Sequence, residues 1–299
     1  MFALAISILL AAYQGAAACT WNVPVETGTL AQAISESSGM AISRRFPDRA
    51  YRINDSGDRG RFFAMAIDGK NSRSINIEGF NPIDNEDMAL GPCGGGVEDC
   101  LFIGDIGDNN RMRRNIEIVV VRERSEFPAT VRANFRVRVQ YPDGPHDAES
   151  LGVHPNGNIY ILTKDSMRSQ IFRLNARQWR DSQGGVETLA LVGTIEWEQV
   201  LPNVSGFGRL ATAMDIAPDG KRFLVLTYTE AVEFLLDLSA TLPAQNTWRE
   251  SRQFRRIALT TLEQQEAIAY LPDGRAFLYD TERAIESRPA RIFRTACRS

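Results

Sequence analysis

Apolar residues along this chain fall into short runs that come in pairs around a turn. MAIS and AYRI, DMALG and CLFIG, ESLGV and NIYIL, MDIA and FLVL, and AIAY and AFLY are the five pairs. Runs of this length, bounded by Gly, Pro, Asn and Asp, predict strands joined as hairpins. The pairs open five segments of one grammar: SGMAISRRFPDRAYRIND (38–55), EDMALGPCGGGVEDCLFIGD (86–105), ESLGVHPNGNIYILTKD (149–165), MDIAPDGKRFLVLTYTE (214–230) and EAIAYLPDGRAFLYDTE (266–282). Successive starts lie 48, 63, 65 and 52 residues apart, and further strand-like runs follow, such as FFAMAID, SRSINIE and NIEIVVVRE. Strong helical periodicity is nearly absent. About four short strands per unit, repeated every 40–65 residues or so, predict an all-β propeller.

The turns fit that scaffold. Pro155-Asn156-Gly157, Pro218-Asp219-Gly220 and Pro272-Asp273-Gly274 each join the first strand of a unit to the second. Pro presets φ and Gly supplies the positive φ of a tight hairpin, so these aspartates are turn chemistry. In the second unit the hairpin is long, and a Cys93–Cys100 disulfide would staple its glycine-rich loop. The last unit supplies only three strands, AIAYL, AFLYD and ARIFRTA, while TWNVPVETGTL (20–30) precedes the first unit with no partner of its own. Pairing that segment beside ARIFRTAC closes a ring of five four-stranded antiparallel blades, with a Cys19–Cys297 disulfide at the seam. A sixth blade within the longer spacings has no start motif.

Composition adds compartment and excludes one partner class. The net charge is −3 with no dominant basic stretch, which argues against nucleic acid. Residues 1–18 read as a signal peptide, with a short apolar run before Ala16-Ala17-Ala18, too short for the roughly 20 residues of a membrane span. Residues 19–299 then form a single propeller domain, expected as a monomer. An even count of four cysteines fits two disulfides in a periplasmic or secreted chain. The alternative is a lipobox with Cys19 lipid-anchored, which would orphan Cys297.

The first strand of a blade lines the central channel and the second returns antiparallel to it. Strand-one starts and strand-two ends therefore share one face. Aligning the units on GMA, DMA, SLG, DIA and AIA puts Ser38, Glu86, Glu149, Met214 and Glu266 at one position. Three glutamates around one axis would repel, and a cation relieves this. Calcium suits such a set, because it takes six to eight or so oxygen ligands in flexible geometry. With only His146 and His154 present, the donors argue against zinc. Unaided, the glutamates would bond backbone amides or water in a wet channel. The strand-two ends bring Asp55, Asp105, Asp108, Asn109 and Lys164, with Arg111 close behind, as candidate catalytic residues of a polar rim. Arg113, Arg114, Arg168 and Arg283 add to the cationic groups that could hold an anion.

The ring of Ser38, Glu86, Glu149 and Glu266 resembles the five-bladed calcium-activated nucleotidases, the apyrase family. NDSGDRGRFFAMAID (54–68) is similar to that family's acidic hairpin. The resemblance implies calcium held by those four residues, and Asp55 as a candidate for positioning the attacking water. Met214 departs from it, since a side-chain oxygen is expected there; its carbonyl, or nearby Thr212, would have to serve. NDSGD, NEDMALG, GDIGDN, YPDGPHDAES and EAIAY also resemble a group of exported bacterial propellers without assigned activity, which implies fold and export only.

Two function classes fit these residues. One is a calcium-dependent hydrolase of a phosphoester or other anionic substrate, with calcium polarising an oxygen and Asp55 as base. The other is a non-enzymatic propeller with a structural cation, binding a protein, glycan or small ligand at the channel mouth. Nucleophilic serine catalysis is disfavoured, because NVSGFG (203–208) lacks the first glycine of a nucleophile elbow.

Overall fold

The computed structural model describes residues 19–94, 97–242, 248–260, 262–282 and 289–298. The segment 1–18, expected as a signal peptide, and Arg283 lie outside the described residues. Five small sheets form the chain. Blade 1 is Ser37–Ile42, Ala50–Asn54, Arg61–Met65 and Arg73–Ile77; blade 2 is Asn85–Pro92, Asp99–Asp105, Ile116–Arg122 and Phe135–Gln140. Blade 3 is Ala148–Val153, Ile159–Thr163, Arg168–Leu174 and Ala190–Glu196; blade 4 is Ala211–Ile216, Phe223–Thr227, Glu230–Phe234 and Phe254–Ala258. Blade 5 is Gln265–Tyr270, Ala276–Thr281 and Arg291–Arg298, completed by Val25–Thr29 from the N-terminal arm. The five first strands pack side by side around the axis, and the chain is a five-bladed propeller.

The sequence pattern explains the stacking. Successive side chains of a strand point to opposite faces. Here both faces are covered by neighbouring blades, so second strands read as continuous apolar runs. In blade 2, Leu101 and Ile103 pack toward Tyr51 and Ile53 of blade 1, while Phe102 packs toward Leu151 and Phe172 of blade 3. In blade 4, Phe223 and Val225 join Tyr160 and Leu162 of blade 3, while Leu224 and Leu226 meet Ile268 and Phe277 of blade 5. Ala50 and Phe63 of blade 1 meet Leu278 and Ile292 of blade 5. Each blade interface is thus a separate apolar core. Fully burying one such side chain contributes roughly 1.5–3 kcal/mol.

Both expected disulfides are formed, Cys19–Cys297 and Cys93–Cys100. At the seam, Thr20 pairs with Arg298 and Trp21 with Cys297, and the Trp21 indole N–H donates to Glu233 of blade 4 at 3.2 Å. Two features exceed the sequence expectation. Thr130–Val131, from a blade 2 loop, adds a parallel strand to the outer edge of blade 1. Val186–Thr188, from a blade 3 loop, does the same for blade 2. Both cover edges that would otherwise stand open. A short helix, Ala176–Asp181, starts at an Asn175–Gln178 capping box and buries Trp179 against blades 2 and 3.

Acids, Asp87 and Asp280 buried and Asp215 half-buried, brace the ring where strands of different blades share no ladder. Asp87 accepts the N–H groups of Leu151 (2.8 Å) and Met214 (3.1 Å), joining blades 2, 3 and 4. Asp215 accepts from Tyr270 at 2.8 Å, joining blades 4 and 5. Asp280 of blade 5 pairs with Arg52 of blade 1 at 2.8 Å and accepts from the Ser37 hydroxyl at 2.9 Å.

Candidate functional site at the channel mouth

All five first strands carry a bulge at the same point. The pairing with the second strand skips one residue between Ser37 and Gly39, Asn85 and Asp87, Ala148 and Ser150, Ala211 and Ala213, and Gln265 and Ala267. The skipped residues are Ser38, Glu86, Glu149, Thr212 and Glu266. A bulge re-aims a side chain away from the regular pleat. Here it gives one oxygen-bearing side chain per blade, each buried. The expected place of Met214 is therefore corrected. Met214 lies two residues past the bulge, packs in the core between blades 3 and 4, and gives its N–H to Asp87. Thr212 takes the fourth ring position. Aligning on the bulky residue two places after each bulge (Met40, Met88, Leu151, Met214, Ile268) finds that register.

A second tier stands just above. The residues following the second strands are Asp55, Ile106, Lys164, Tyr228 and Glu282. Asp84 enters from the connection into blade 2. Carboxylate oxygens of Asp55, Asp84 and Glu86 lie within 4.8 Å of one another. Gly107 makes room for them: a Cβ there would sit 2.2 Å from Glu86 Oε1 and 2.5 Å from Asp84 Oδ2. The Ser38 hydroxyl donates to the Glu86 carbonyl at 2.6 Å and lies 3.5 Å from its Oε2. Across the ring, the Lys164 ammonium pairs with Glu149 Oε1 and donates to the Tyr228 hydroxyl at 3.1 Å. Among the described residues, Glu149 Oε2 is buried and has no hydrogen-bond partner.

The electrostatics follow from this crowding. Burial, then the charges of Glu149, Asp55 and Asp84, hold Glu86 well above the usual carboxylate range. Burial pushes Glu149 up to about 8, against the opposing pull of Lys164. Burial, then the charge of Glu149, raises Glu266. Asp84 rises to about 6 and Glu282 to about 7, in both cases through burial and then the charge of Asp55. Asp55 is itself raised by burial. Among the described residues, six carboxyl groups thus crowd together with the Lys164 ammonium and, beside Asp84, Arg113, and their environment disfavours charge.

DIGDNNR (105–111) supports this site through the backbone it holds in place. Asp105 accepts the N–H groups of Ile83 (3.2 Å) and Asp84 (2.8 Å) and pairs with Arg113 at 3.0 Å. It fixes the backbone that presents Asp84. Asp108 accepts from Met112 (2.9 Å) and Arg113 (2.7 Å), closing its own loop. Asn109 and Arg114 are exposed, and exposed Arg111 lies 3.7 Å from Asp165. Arg113 also donates to the Gly107 carbonyl, and Arg168 pairs with Glu196 at 2.6 Å, so both are committed locally. His146 contacts Asp143 (2.9 Å) and His154 the Gly220 carbonyl (3.2 Å). Sequence reasoning missed Asp84, which sits outside the repeated hairpins.

No family model matches the chain, and no curated protein does, so the apyrase resemblance stands on its quoted residues alone. Among solved structures, a luciferin-regenerating enzyme is similar over 93% of this chain and 95% of its own, at 9% identity and a TM-score of 0.45. The five-bladed fold rests on the sheets themselves. The two disulfides fit an oxidising compartment. Among the described residues, no helix is long and apolar enough to cross a membrane.

Proposed function

We propose that the protein is an exported calcium-binding propeller that hydrolyses a phosphoester or similar anionic substrate at the channel mouth. One observation carries this: Asp55, Asp84 and Glu86 converge within 4.8 Å beside buried Glu149, whose Oε2 lacks a partner among the described residues. Leaving a buried carboxylate oxygen unpaired costs about 1–3 kcal/mol or more, and a hard cation would satisfy it. Asp84, Glu86, Glu149 and Ser38 supply oxygens of the right type, with Thr212 and Glu266 completing the ring. Calcium held there would polarise a substrate oxygen. Asp55 stands beside these ligands and takes the proton of an attacking water. Lys164, braced by Glu149 and Tyr228, faces the negative charge of the substrate.

A second reading, a structural cation beneath a ligand-binding rim, is favoured by the local commitments of Arg113 and Arg168, which thin the positive charge above the site. Thermal unfolding of residues 19–299 in EDTA, in millimolar Ca²⁺ and in millimolar Mg²⁺ tests the common premise. The expected result is a clear rise in calcium alone; identical midpoints in all three sink the cation site. A phosphoester screen in calcium then separates enzyme from scaffold.

A further inference from the structure

NVSGFG (203–208) has no part in the site so far, yet it stands against it. Phe207 lies flat on Tyr228, with ring centroids 4.2 Å apart and planes 2° from parallel. Tyr228 is the residue whose hydroxyl receives the Lys164 hydrogen bond. Phe207 is 65% exposed. A single exposed apolar side chain is ordinary, but this one is held in place. The Thr229 hydroxyl donates to the Gly208 carbonyl at 2.9 Å, and Arg209 Nε donates to the Leu201 carbonyl at 3.2 Å. Gly208 permits the close approach, since a Cβ there would lie 2.7 Å from Val204 and 2.8 Å from Thr229. Phe207 and Tyr228 line a groove of about 620 Å³, with Val204 and Leu262 adding apolar surface and Asn203, Glu263 and Gln264 a polar margin.

We propose that this groove receives an aromatic ring carried by the same ligand whose anionic group faces Lys164 and the cation. The inference rests on the function proposed above and narrows its substrate class to aryl-substituted anions such as aryl phosphates. Tyr228 supplies the link, because one side chain serves both sites: its hydroxyl faces the ion pair and its ring carries Phe207. Aromatic pairs prefer stacked or edge-on contact and bury large areas, so a ligand ring laid against Phe207 gains where an alkyl group of the same charge does not.

The test uses two non-hydrolysable probes, phenylphosphonate and methylphosphonate, titrated calorimetrically into residues 19–299 in millimolar calcium. Phenylphosphonate should bind about tenfold tighter, from stacking together with apolar burial. Phe207→Ala should abolish that advantage while leaving methylphosphonate affinity and the calcium-dependent melting shift unchanged, which also certifies the fold. Equal affinities in the wild type overturn the aromatic groove but leave the anion site standing. If neither probe binds to a protein that still responds to calcium, the anionic-substrate reading falls with it.

Discussion

Glu86 and Asp87 are neighbours in one strand, both buried, both acids, both raised above the usual range chiefly by burial. They have opposite fates. Asp87 accepts three backbone N–H groups, those of Met88, Leu151 and Met214, and locks three blades together. Glu86 is turned by the bulge toward Asp84 and Asp55, where like charges gather. The same contrast separates Asp215 and Asp280, both bonded across blades, from Glu149 and its unpartnered oxygen. Burial of a carboxyl therefore does not mark a site by itself. What marks this one is an unpartnered oxygen together with the carboxylates crowded beside it.

That contrast can be broken by substitution. Asp280→Ala leaves the Arg52 guanidinium buried and uncompensated, and should cost about 3–5 kcal/mol. The loss should be the same in EDTA and in calcium, by denaturant unfolding. Glu149→Gln should behave in the reverse way. In EDTA its stability should stay close to wild type, because the amide oxygen still accepts from Lys164, which keeps Glu266 nearby, while one of several crowded charges is removed. In calcium it should lose the stabilisation that a ligand at about 100 times its Kd provides, about 2.7 kcal/mol. A calcium response left intact in Glu149→Gln would place that residue with the braces and empty the contrast of meaning.

The sequence made the braces invisible and the scaffold plain. Paired apolar runs, PDG turns and the unpartnered arm at 20–30 were enough for five blades and a seam, because each follows from local chemistry. The cysteine pairs followed from where the strands had to meet. The ring is nearly legible: Ser38, Glu86, Glu149 and Glu266 stand at bulged positions, but the motif alignment sets blade 4 two residues out of register. The strand ATAMDI carries Asp215 where the other units carry Ala or Gly, and matching DIA to AIA shifted it. Asp84 was hidden for a different reason. It reaches the mouth through a connecting loop fixed by Asp105, a non-local bond that no periodicity announces.

The pH dependence sharpens the comparison further. A carboxyl with a higher pKa folded than unfolded makes the folded state bind more protons between the two values, so stability falls as pH rises through that window. With Asp84 at about 6, Glu282 at about 7 and Glu149 at about 8, the window runs from the ordinary carboxylate range up to pH 8. Lys164, raised by Glu149 and Tyr228 despite burial, stays charged throughout. Asp147 adds negative charge beside Glu149, in the same direction. In EDTA the unfolding midpoint should drop steadily from pH 5 to pH 8. Calcium held by the deprotonated groups, as proposed, should flatten the part that belongs to the mouth. Asp215, raised to about 6 by burial, keeps its share below pH 7 in either condition. Parallel profiles with and without calcium would mean that the mouth carboxyls are not the ones responding.

The smallest effect discriminates most finely, because it decides which blade 4 residue completes the ring. The Thr212 hydroxyl donates to the Gln265 carbonyl at 2.7 Å, much as Ser38 donates to the Glu86 carbonyl in blade 1. Its oxygen keeps lone pairs for a cation while the hydrogen is engaged. Thr212→Val keeps the shape and removes the oxygen. It should cost about 1 kcal/mol in EDTA for the lost bond, and it should also weaken calcium affinity several-fold by calorimetry. Met214→Leu conserves volume in the blade 3–4 core and preserves the N–H that Asp87 accepts, so it should cost less than about 1.5 kcal/mol and leave calcium affinity alone. The reverse outcome, with calcium binding sensitive at Met214 and indifferent at Thr212, would restore the register that the bulges replaced. It would also show that a shared bulge need not aim its residue at a shared ligand.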